Sequence, residues 1–325
     1  MNVRRRATLA FALAALWTAV PAHGADRFPT KPLRLIVPFP PGGPSDIFGR
    51  FLAQEMGTGL GQTVVVENRG GAGGVLGVDA VAKASPDGYT LGLNNSASVA
   101  MAPFTMARMP YDAAHDLAFI TSVVKVPEVL VVNPSLPVHS LSELVAYAKS
   151  HPGTINFGSS GSGSITHLAL ELLKSAAQVD IVHVSYKGAA PAVSDLLGGQ
   201  VQMSILDVPV VLPHIRQGAL RALAVTSASR SPALPEVPTT VEEHYPSVIS
   251  DNWYGLVAPA GTPPDVLERL HQAAVTALRS PKLAEQFAKV SGVPIPSSAA
   301  DYAAFVATER ERWGTVIKAI GFKME

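Results

Sequence analysis

Two turns rich in glycine, serine and proline contain the residue types that could bind an anion. The first spans residues 40–46 and the second residues 158–164, and each separates a strand-like run from a helix-like run. Glycines let the backbone bend tightly and approach a ligand closely. The helix after each turn begins with unpaired N–H groups and a partial positive charge. The pattern predicts carboxylate binding without an arginine or lysine; the alternative is that both turns are tight connections only.

Four further polar residues lie near predicted strand ends or helix starts. His167 falls in the first turn of the helix after the second turn, where it either contacts a ligand or is a polar helix-start residue. Tyr186, Lys187 and Asp207 lie just beyond strand ends. Ligands of open α/β sheets bind at this edge, yet each of these residues alone also fits a capped turn or a solvated face.

The sequence lacks the motifs of common enzymes. Gly71, Gly73 and Gly77 form G-x-G-x-x-x-G rather than the dinucleotide pattern G-x-G-x-x-G, and no glycine loop is followed by a Walker lysine. No serine of the second turn has the G-x-S-x-G spacing of a hydrolase, and the histidines form no HExxH motif. We therefore expect no catalytic residue, no metal site and no cofactor. A hydrolase that uses Ser160 or Ser162 is the enzymatic alternative.

The N-terminus has the three parts of a secretory signal peptide. Arg4, Arg5 and Arg6 precede an apolar stretch over residues 7–20, and small residues follow up to Gly24. The apolar stretch is shorter than the roughly 18 residues that a spanning helix needs, which disfavours an uncleaved anchor. We predict export to the periplasm, with residues 1–24 as the signal peptide and cleavage near Gly24.

Composition excludes several classes of protein and partner. Hydrophobic residues make up 47% of the 325-residue chain and charged residues 15%, which is typical of globular proteins. The formal net charge is zero, and no basic run follows the leader, so nucleic acid is not an expected partner. The chain has no cysteine, which excludes thiolate metal sites, disulfides, a cysteine nucleophile and a lipid-modified N-terminal cysteine.

Strand-like and helix-like runs alternate from end to end, which predicts an α/β fold with mostly parallel sheets flanked by helices. The predicted strands lie at residues 33–37, 64–66, 90–93, 129–132, 155–157, 181–184, 201–206, 221–226 and 253–258. We predict two lobes, the first with residues 25–125 and 250–325 and the second with residues 126–249. The chain then crosses between the lobes twice, which permits a hinge.

Helix starts can be predicted from capping residues. Either Ser45 or Asp46 is the predicted N-cap of the helix after the first turn, because both side chains can accept a hydrogen bond from the helix start. Ser140 is another predicted N-cap, with Glu143 at the spacing of a capping box. Three helices are predicted over residues 263–325.

Several motifs, in order along the chain, resemble those of one family, the extracytoplasmic solute receptors of tripartite tricarboxylate transporters, also called the Bug family. The similarity extends over essentially the whole chain after the leader. The motifs are PFPPGGPSD at residues 38–46, VENRGGAGG at 66–74, SPDGYT at 85–90, SGSGS at 160–164, YKG at 186–188, LAVT at 223–226, WYG at 253–255 and APAGTP at 258–263.

The resemblance implies a non-enzymatic receptor with a Venus-flytrap fold, in which two lobes close on a small carboxylate. It also implies delivery to a large and a small integral membrane subunit, and we expect a monomer. A sensory protein that presents its ligand to a membrane-bound kinase is the alternative. The implied ligand-binding residues are Pro41, Gly42, Gly43, Ser45, Asp46, Asn94, Ser96, Ser159, Ser160, Gly161, Ser162, Ser164, His167, Tyr186, Lys187 and Asp207.

The sequence departs from the family pattern at positions expected to contact the variable end of the ligand. Ala102-Pro103 stands where members usually have Asn-Pro, and Ser185 replaces the usual proline before Tyr-Lys-Gly. The segment from Asn94 to Ser98, which faces the cleft by analogy, is also atypical. Which carboxylate binds is therefore left open by the sequence.

Overall fold

The computed structural model describes residues 28–323, and the predicted signal peptide lies outside these residues. The described chain forms two β-sheets, each flanked by helices, as the α/β fold class predicts. Within residues 28–323, no helix is both long enough and apolar enough to cross a bilayer.

The first sheet has six strands in the spatial order β11-β4-β10-β3-β1-β2. These strands are β1 (Leu33–Val37), β2 (Val64–Asn68), β3 (Thr90–Asn95), β4 (Leu117–Val126), β10 (Asn252–Pro259) and β11 (Val293–Pro294). The helices around it are α1 (Pro44–Leu60), α2 (Val75–Ala82), α3 (Ala102–Thr105), α8 (Pro264–Leu278), α9 (Pro281–Lys289) and α10 (Ala299–Ile320). A 3-10 turn over Ala72–Gly74 precedes α2, and a π-helical turn over Ala97–Met101 precedes α3.

The second sheet has five strands in the order β7-β6-β8-β5-β9. These strands are β5 (Glu128–Val132), β6 (Asn156–Ser159), β7 (Val182–Ser185), β8 (Met203–Asp207) and β9 (Arg221–Val225). Its helices are α4 (Leu141–Ser150), α5 (Ile165–Ala177), α6 (Ala189–Leu197) and α7 (Val208–Arg216). A helix thus follows each of the strands β5, β6, β7 and β8. Because β6, β7 and β8 run parallel, the starts of α5, α6 and α7 lie along one edge of the sheet.

The prediction that the sheets are mostly parallel needs correction, because both sheets are mixed. In the first sheet β1 runs parallel to β2 and β3, whereas β10 runs antiparallel to β3 and β4. In the second sheet β6 runs parallel to β7 and β8, but β5 runs antiparallel to β8 and β9. Strand β4 leads out of the first lobe and β10 leads back into it. Since these two strands are neighbours, they must point in opposite directions.

The two connections between the sheets differ in length. Pro127 alone separates β4 from β5, whereas residues 226–251 connect β9 to β10. The chain therefore crosses between the sheets twice, as expected. The exact limits of the two lobes stay a prediction.

Capping explains where two helices begin. The prediction of Ser45 or Asp46 as the N-cap of α1 is wrong: Gly43 occupies that position, and Pro44 is the first helical residue. Proline fits this place because its fixed φ suits a helix and its missing N–H would be unpaired there anyway. The Ser140 prediction is confirmed, since its hydroxyl accepts a hydrogen bond from the Glu143 N–H at 3.1 Å.

A buried carboxylate fixes α10 against β10. The indole N–H groups of Trp253 and Trp313 both donate to Glu309 Oε2, at 3.1 and 3.2 Å. Arg312 Nη1 lies 3.1 Å from the other carboxylate oxygen of Glu309. Because Glu309 is 9% exposed, these three donors compensate for most of the cost of burying its charge.

Candidate ligand-binding cleft

The start of α1 presents a buried hydroxyl that has no partner. Ser45 follows Gly43 and Pro44 in the first turn of α1 and lines a small inner cavity between the lobes. It is 1% exposed, and its Oγ makes no hydrogen bond within the described chain. An unpaired buried hydroxyl is unfavourable unless a ligand or water uses it. Ser45 is therefore placed to donate to a ligand in the cavity.

Asp46, the next residue, has a structural role in the same turn. Its carboxylate accepts hydrogen bonds from the Gly42 N–H at 3.0 Å, Arg50 Nε at 3.0 Å and Asn68 Nδ2 at 2.9 Å. Burial raises the pKa of Asp46, but the hydrogen bonds from these three groups outweigh it and hold the pKa below its usual value. Asp46 does not line either cavity of the cleft and instead holds residues 40–46 in shape.

The serine-rich turn before α5 satisfies most of its own polar groups. Ser164 is the N-cap of α5: its Oγ donates to the Gly161 carbonyl at 2.6 Å and accepts from the His167 N–H at 3.3 Å. The Ser160 N–H donates to Thr166 Oγ1 at 2.9 Å. This network fixes the turn at the start of α5, where Ser164, Ile165 and Thr166 line the inner cavity.

A third helix start, not expected from the sequence, also lines the cavity. Gly188 is the N-cap of α6, with φ of +119°, and Ala189 and Ala190 line the cavity beside it. A Cβ at Gly188 would lie 3.3 Å from Pro40 Cγ, so glycine permits the two lobes to touch here. The sequence signal for this third helix start is Gly188 itself, a glycine between a predicted strand and the helix that follows it. The starts of α1, α5 and α6 thus converge on one cavity.

The inner cavity is small and opens beside a much larger outer cleft. Its volume is about 30 Å³, room for roughly two waters. The outer cleft measures about 670 Å³ and shares Phe39, Pro40, Pro41, Ser160 and Gly188 with the inner cavity. Among the described residues, no lysine, arginine or histidine lines the inner cavity. An anion in the inner cavity would therefore be stabilised by helix starts and not by cationic side chains.

Asp207 forms the floor of the inner cavity at the end of β8. Its two carboxylate oxygens each lie 3.2 Å from Asn252 Nδ2, and the Tyr254 hydroxyl donates to Oδ2 at 3.3 Å. Burial raises the pKa of Asp207 to about 7, although these hydrogen bonds lower it. Asn252 and Tyr254 belong to β10, so this cluster connects the two sheets directly beneath the cavity.

The outer cleft has a polar rim on the second lobe. Ser162 Oγ donates to Ser185 Oγ at 3.1 Å, and the Tyr186 hydroxyl donates to Asp195 Oδ2 at 2.7 Å. Burial, followed by the hydrogen bond to Asp195, raises the pKa of Tyr186 to about 12. Lys187 is exposed at the same rim and supplies a cation to the outer cleft.

The predicted binding residues divide into those that line the cleft and those that do not. The first group lines the inner cavity, the outer cleft or both: Pro41, Gly43, Ser45, Ser160, Gly161, Ser162, Ser164, Tyr186, Lys187 and Asp207. The second group lies outside both linings: Gly42, Asp46, Asn94, Ser96, Ser159 and His167.

Strand geometry explains why Asn94 lies outside. Successive side chains of a strand point to opposite faces, and Asn94 Oδ1 accepts from the Tyr302 hydroxyl on the α10 side. Its neighbour Asn95 lines the inner cavity. Asn95 lies in the segment expected to face the cleft but was not among the implied binding residues. Ser96 lies one layer further back, where its Oγ donates to Asn252 Oδ1 at 3.2 Å.

Ser159 and His167 belong to a buried cluster behind the serine-rich turn. Ser159 Oγ lies 2.6 Å from His183 Nε2, and the rings of His183 and His167 stack with centroids 3.5 Å apart. Burial, followed by the charge of His183, lowers the pKa of His167 to about 3. Although Ser159 and His183 are a hydroxyl–imidazole pair, Ser159 is fully buried and lines neither cavity. A substrate in the cleft would not reach its hydroxyl.

The comparisons with known proteins agree with one another. Residues 48–322 match the tripartite tricarboxylate transporter family receptor. Protein BugT of Bordetella pertussis is 42% identical over 327 residues, which cover 100% of both chains. A solved R. palustris structure with adipate has a TM-score of 0.88 at 34% identity, covering 91% of this chain and 99% of that one. MatC from Rhodopseudomonas palustris with bound malate has a TM-score of 0.85 at 30% identity, covering 89% and 100%.

Proposed function

The chain belongs to the tripartite tricarboxylate transporter receptor family, and we propose that it captures a small organic carboxylate between its lobes and delivers it to a membrane transporter. The family consists of solute-binding receptors and is not an enzyme family. The proposal includes export to the periplasm with cleavage near Gly24, a monomeric receptor, and a large and a small membrane subunit as partners.

The convergence of three helix starts on one cavity is the observation that supports this function. Backbone N–H groups without a partner in the described chain remain in each first turn: one at Ser45 in α1, and two each in α5 (Ile165, Thr166) and α6 (Ala189, Ala190). Each charge-assisted hydrogen bond contributes about 1.5–3 kcal/mol. Three or four of them offset much of the roughly 4–15 kcal/mol that association costs. Micromolar binding corresponds to a binding free energy of about −8 kcal/mol. Burial of the ligand and closure of the lobes supply the remainder of this free energy.

A ligand with two polar ends fits the arrangement of the two cavities. One carboxylate binds at the helix starts beside Ser45, and the rest of the molecule extends into the outer cleft toward Lys187. Adipate and malate, which are bound in two related structures, are both dicarboxylates. A dicarboxylate is therefore the ligand class that we propose for this chain.

A binding screen tests the proposal. The purified exported protein is tested by thermal shift and calorimetry against mono-, di- and tricarboxylates, acidic amino acids and aromatic acids. A ligand at about 100 times its Kd stabilises the protein by about 2.7 kcal/mol, which appears as a shift of several degrees. We expect hits among the dicarboxylates. No shift with any acid would refute the proposed function.

Ser45→Ala tests the site itself. If Ser45 Oγ donates to the bound carboxylate, its loss weakens binding by about 1–3 kcal/mol, roughly 5- to 150-fold. Ser291 provides the matched control, because its hydroxyl is also buried and without a partner but lies beyond α9, away from the cleft. Ser291→Ala is expected to leave affinity unchanged. Equal affinities for both variants would exclude Ser45 from the site.

A further inference from the structure

Two carboxyl groups face each other directly below the inner cavity. Glu128 begins β5 and Asp207 ends β8, and the two residues are opposite partners in the antiparallel register. Side chains opposite each other in such a pair lie on one face of the sheet, with Cβ atoms about 4.5–5.5 Å apart. Glu128 is 0% exposed and Asp207 5% exposed. Two buried carboxylates this close repel each other, which disfavours ionisation of both.

The surroundings of the two groups are unequal. Neither carboxyl oxygen of Glu128 accepts a well-formed hydrogen bond within the described chain. The nearby Ser250 hydroxyl, which donates to Thr226 Oγ1 at 3.0 Å, favours ionisation of Glu128 only weakly against the effect of burial. Asp207, by contrast, accepts from Asn252 and Tyr254. Hydrogen bonds to a carboxylate favour its ionised form, and burial without partners favours the neutral acid. The geometry therefore leaves the proton on Glu128 and makes Asp207 the group that can ionise.

Other charged groups nearby do not neutralise the pair. Within residues 28–323, no lysine, arginine or histidine forms an ion pair with Glu128 or Asp207. The remaining charged groups that face this region belong to β4, α10 and the residue before β10. Asp251 pairs with Lys125 of β4 at 2.7 Å. On α10, Arg312 and Glu309 are paired with each other and act on Asp251.

We infer that Asp207 takes up a proton from solvent when an anionic ligand enters the inner cavity, while Glu128 keeps the proton that it already holds. This inference rests on the proposed function. Asp207 lines the cavity, so an ionised Asp207 would repel a carboxylate bound at the helix starts. The protonated acid instead donates its O–H to a ligand oxygen. The receptor then binds its anion together with one proton.

The titration behaviour of both groups supports this assignment. Burial raises the pKa of Asp207 to about 7. Burial, followed by the charge of Asp207, raises the pKa of Glu128 well above its usual range. An anion in the cavity raises the pKa of Asp207 further, and by linkage a lower pH must then strengthen binding of the anion. At pH values above the pKa of free Asp207, one proton is taken up for each ligand bound.

Calorimetry with adipate and malate tests proton uptake. Both acids are almost entirely in the dianionic form at pH 6.5 and 8.5, so a change in affinity of 10-fold or more between these values reports on the protein. We expect roughly 10- to 30-fold tighter binding at pH 6.5. At pH 8.5, titrations in buffers of different ionisation enthalpy are expected to show uptake of about one proton per ligand.

Isosteric variants identify the titrating group. Asp207→Asn is expected to abolish proton uptake and the pH dependence of Kd, whereas Glu128→Gln, neutral like the protonated acid, retains both. Asp251→Asn, which changes a buried carboxylate outside the cavity lining, is also expected to retain both. Uptake that persists in Asp207→Asn, or that Glu128→Gln abolishes, would overturn the assignment.

The remaining outcomes separate this inference from the proposed function. Binding of equal strength at both pH values would overturn the inference alone. If neither acid nor any other of the panel binds at either pH, the proposed function fails. Infrared spectroscopy of the protein without ligand then still tests the protonation of Glu128 and Asp207. At pH 8.5 we expect the carbonyl band of a protonated carboxylic acid, and we expect Glu128→Gln to lack it. Absence of that band from the unmodified protein would overturn the inference by itself.

Discussion

The contact between Gly73 and Gly163 provides a direct test of whether lobe closure determines affinity. Gly73 lies in the 3-10 turn before α2 and lines the outer cleft with φ of +64°. A Cβ at Gly73 would lie 3.0 Å from the Gly163 carbonyl oxygen and 3.2 Å from its carbon. Gly163 belongs to the serine-rich turn of the other lobe. A methyl group here therefore requires the lobes to separate by a few tenths of an ångström.

The expected size of the effect follows from this contact. Overpacking of a close backbone contact costs about 1–3 kcal/mol. If Gly73→Ala imposes about 1–2 kcal/mol on the closed arrangement only, affinity falls roughly 5- to 30-fold. Alanine at a left-handed φ costs a further 1–2 kcal/mol or so. That second cost is present whether the lobes are open or closed, so it lowers stability without changing affinity.

Gly61→Ala separates the two contributions. Gly61 follows α1 with φ of +68°, and a Cβ there would meet no atom within 4 Å. It therefore carries the same backbone strain without the contact between lobes. Calorimetry with the hit of the carboxylate screen gives Kd, and thermal denaturation without ligand gives stability. We expect both variants to lose stability but only Gly73→Ala to lose affinity. Equal affinities would refute the argument that this contact limits closure.

Three further predictions concern stability. Ser164→Ala removes the α5 N-cap and should lower the free energy of unfolding by about 0.5–2 kcal/mol in chemical denaturation; no change would contradict the capping role. Asp46→Ala removes the acceptor of the Gly42 N–H and one of the two acceptors of Asn68 Nδ2, so thermal denaturation should show a loss of about 1–3 kcal/mol. The pKa of Asp207 is higher in the folded state than in the unfolded chain, so its contribution to folding stability is present below about pH 4 and is lost as pH rises through about 7. Asp207→Asn should therefore gain stability relative to the unmodified protein as pH rises. A difference in melting temperature that stays constant with pH would refute this.

The fold could be predicted wherever the chain shows a local pattern. Apolar runs flanked by glycine or proline predicted most strands, and Ser140 predicted the start of α4. Strand β4 was missed because polar residues interrupt its apolar pattern. Thr121 Oγ1 donates to the Ser297 carbonyl at 2.8 Å, and Ser122 Oγ donates to Ser297 Oγ at 2.7 Å. Their partner lies more than 170 residues away along the chain, so no local pattern shows that these hydroxyls are satisfied.

The site could be predicted only in part, for a related reason. The glycine- and serine-rich turns show in the sequence because a tight approach of the backbone requires particular residue types. Asn252 and Tyr254 reach the cavity only because β10 inserts between β3 and β4, which no pattern within that strand indicates. The roles of individual polar residues also depend on their contacts. Ser45 and Asp46 are adjacent, yet one lines the cavity and the other holds the turn.

The carboxylate that fixes α10 also has a spectroscopic consequence. The chain has three tryptophans, and Trp17 lies in the predicted signal peptide. The other two, Trp253 and Trp313, share Glu309 as acceptor, so both indoles respond to the charge of the same carboxylate. Trp253 directly follows Asn252, whose amide binds Asp207 at the floor of the cavity. Tryptophan fluorescence from the described residues therefore reports on one buried cluster adjoining the candidate cleft, and we expect ligand binding to change it without an attached dye.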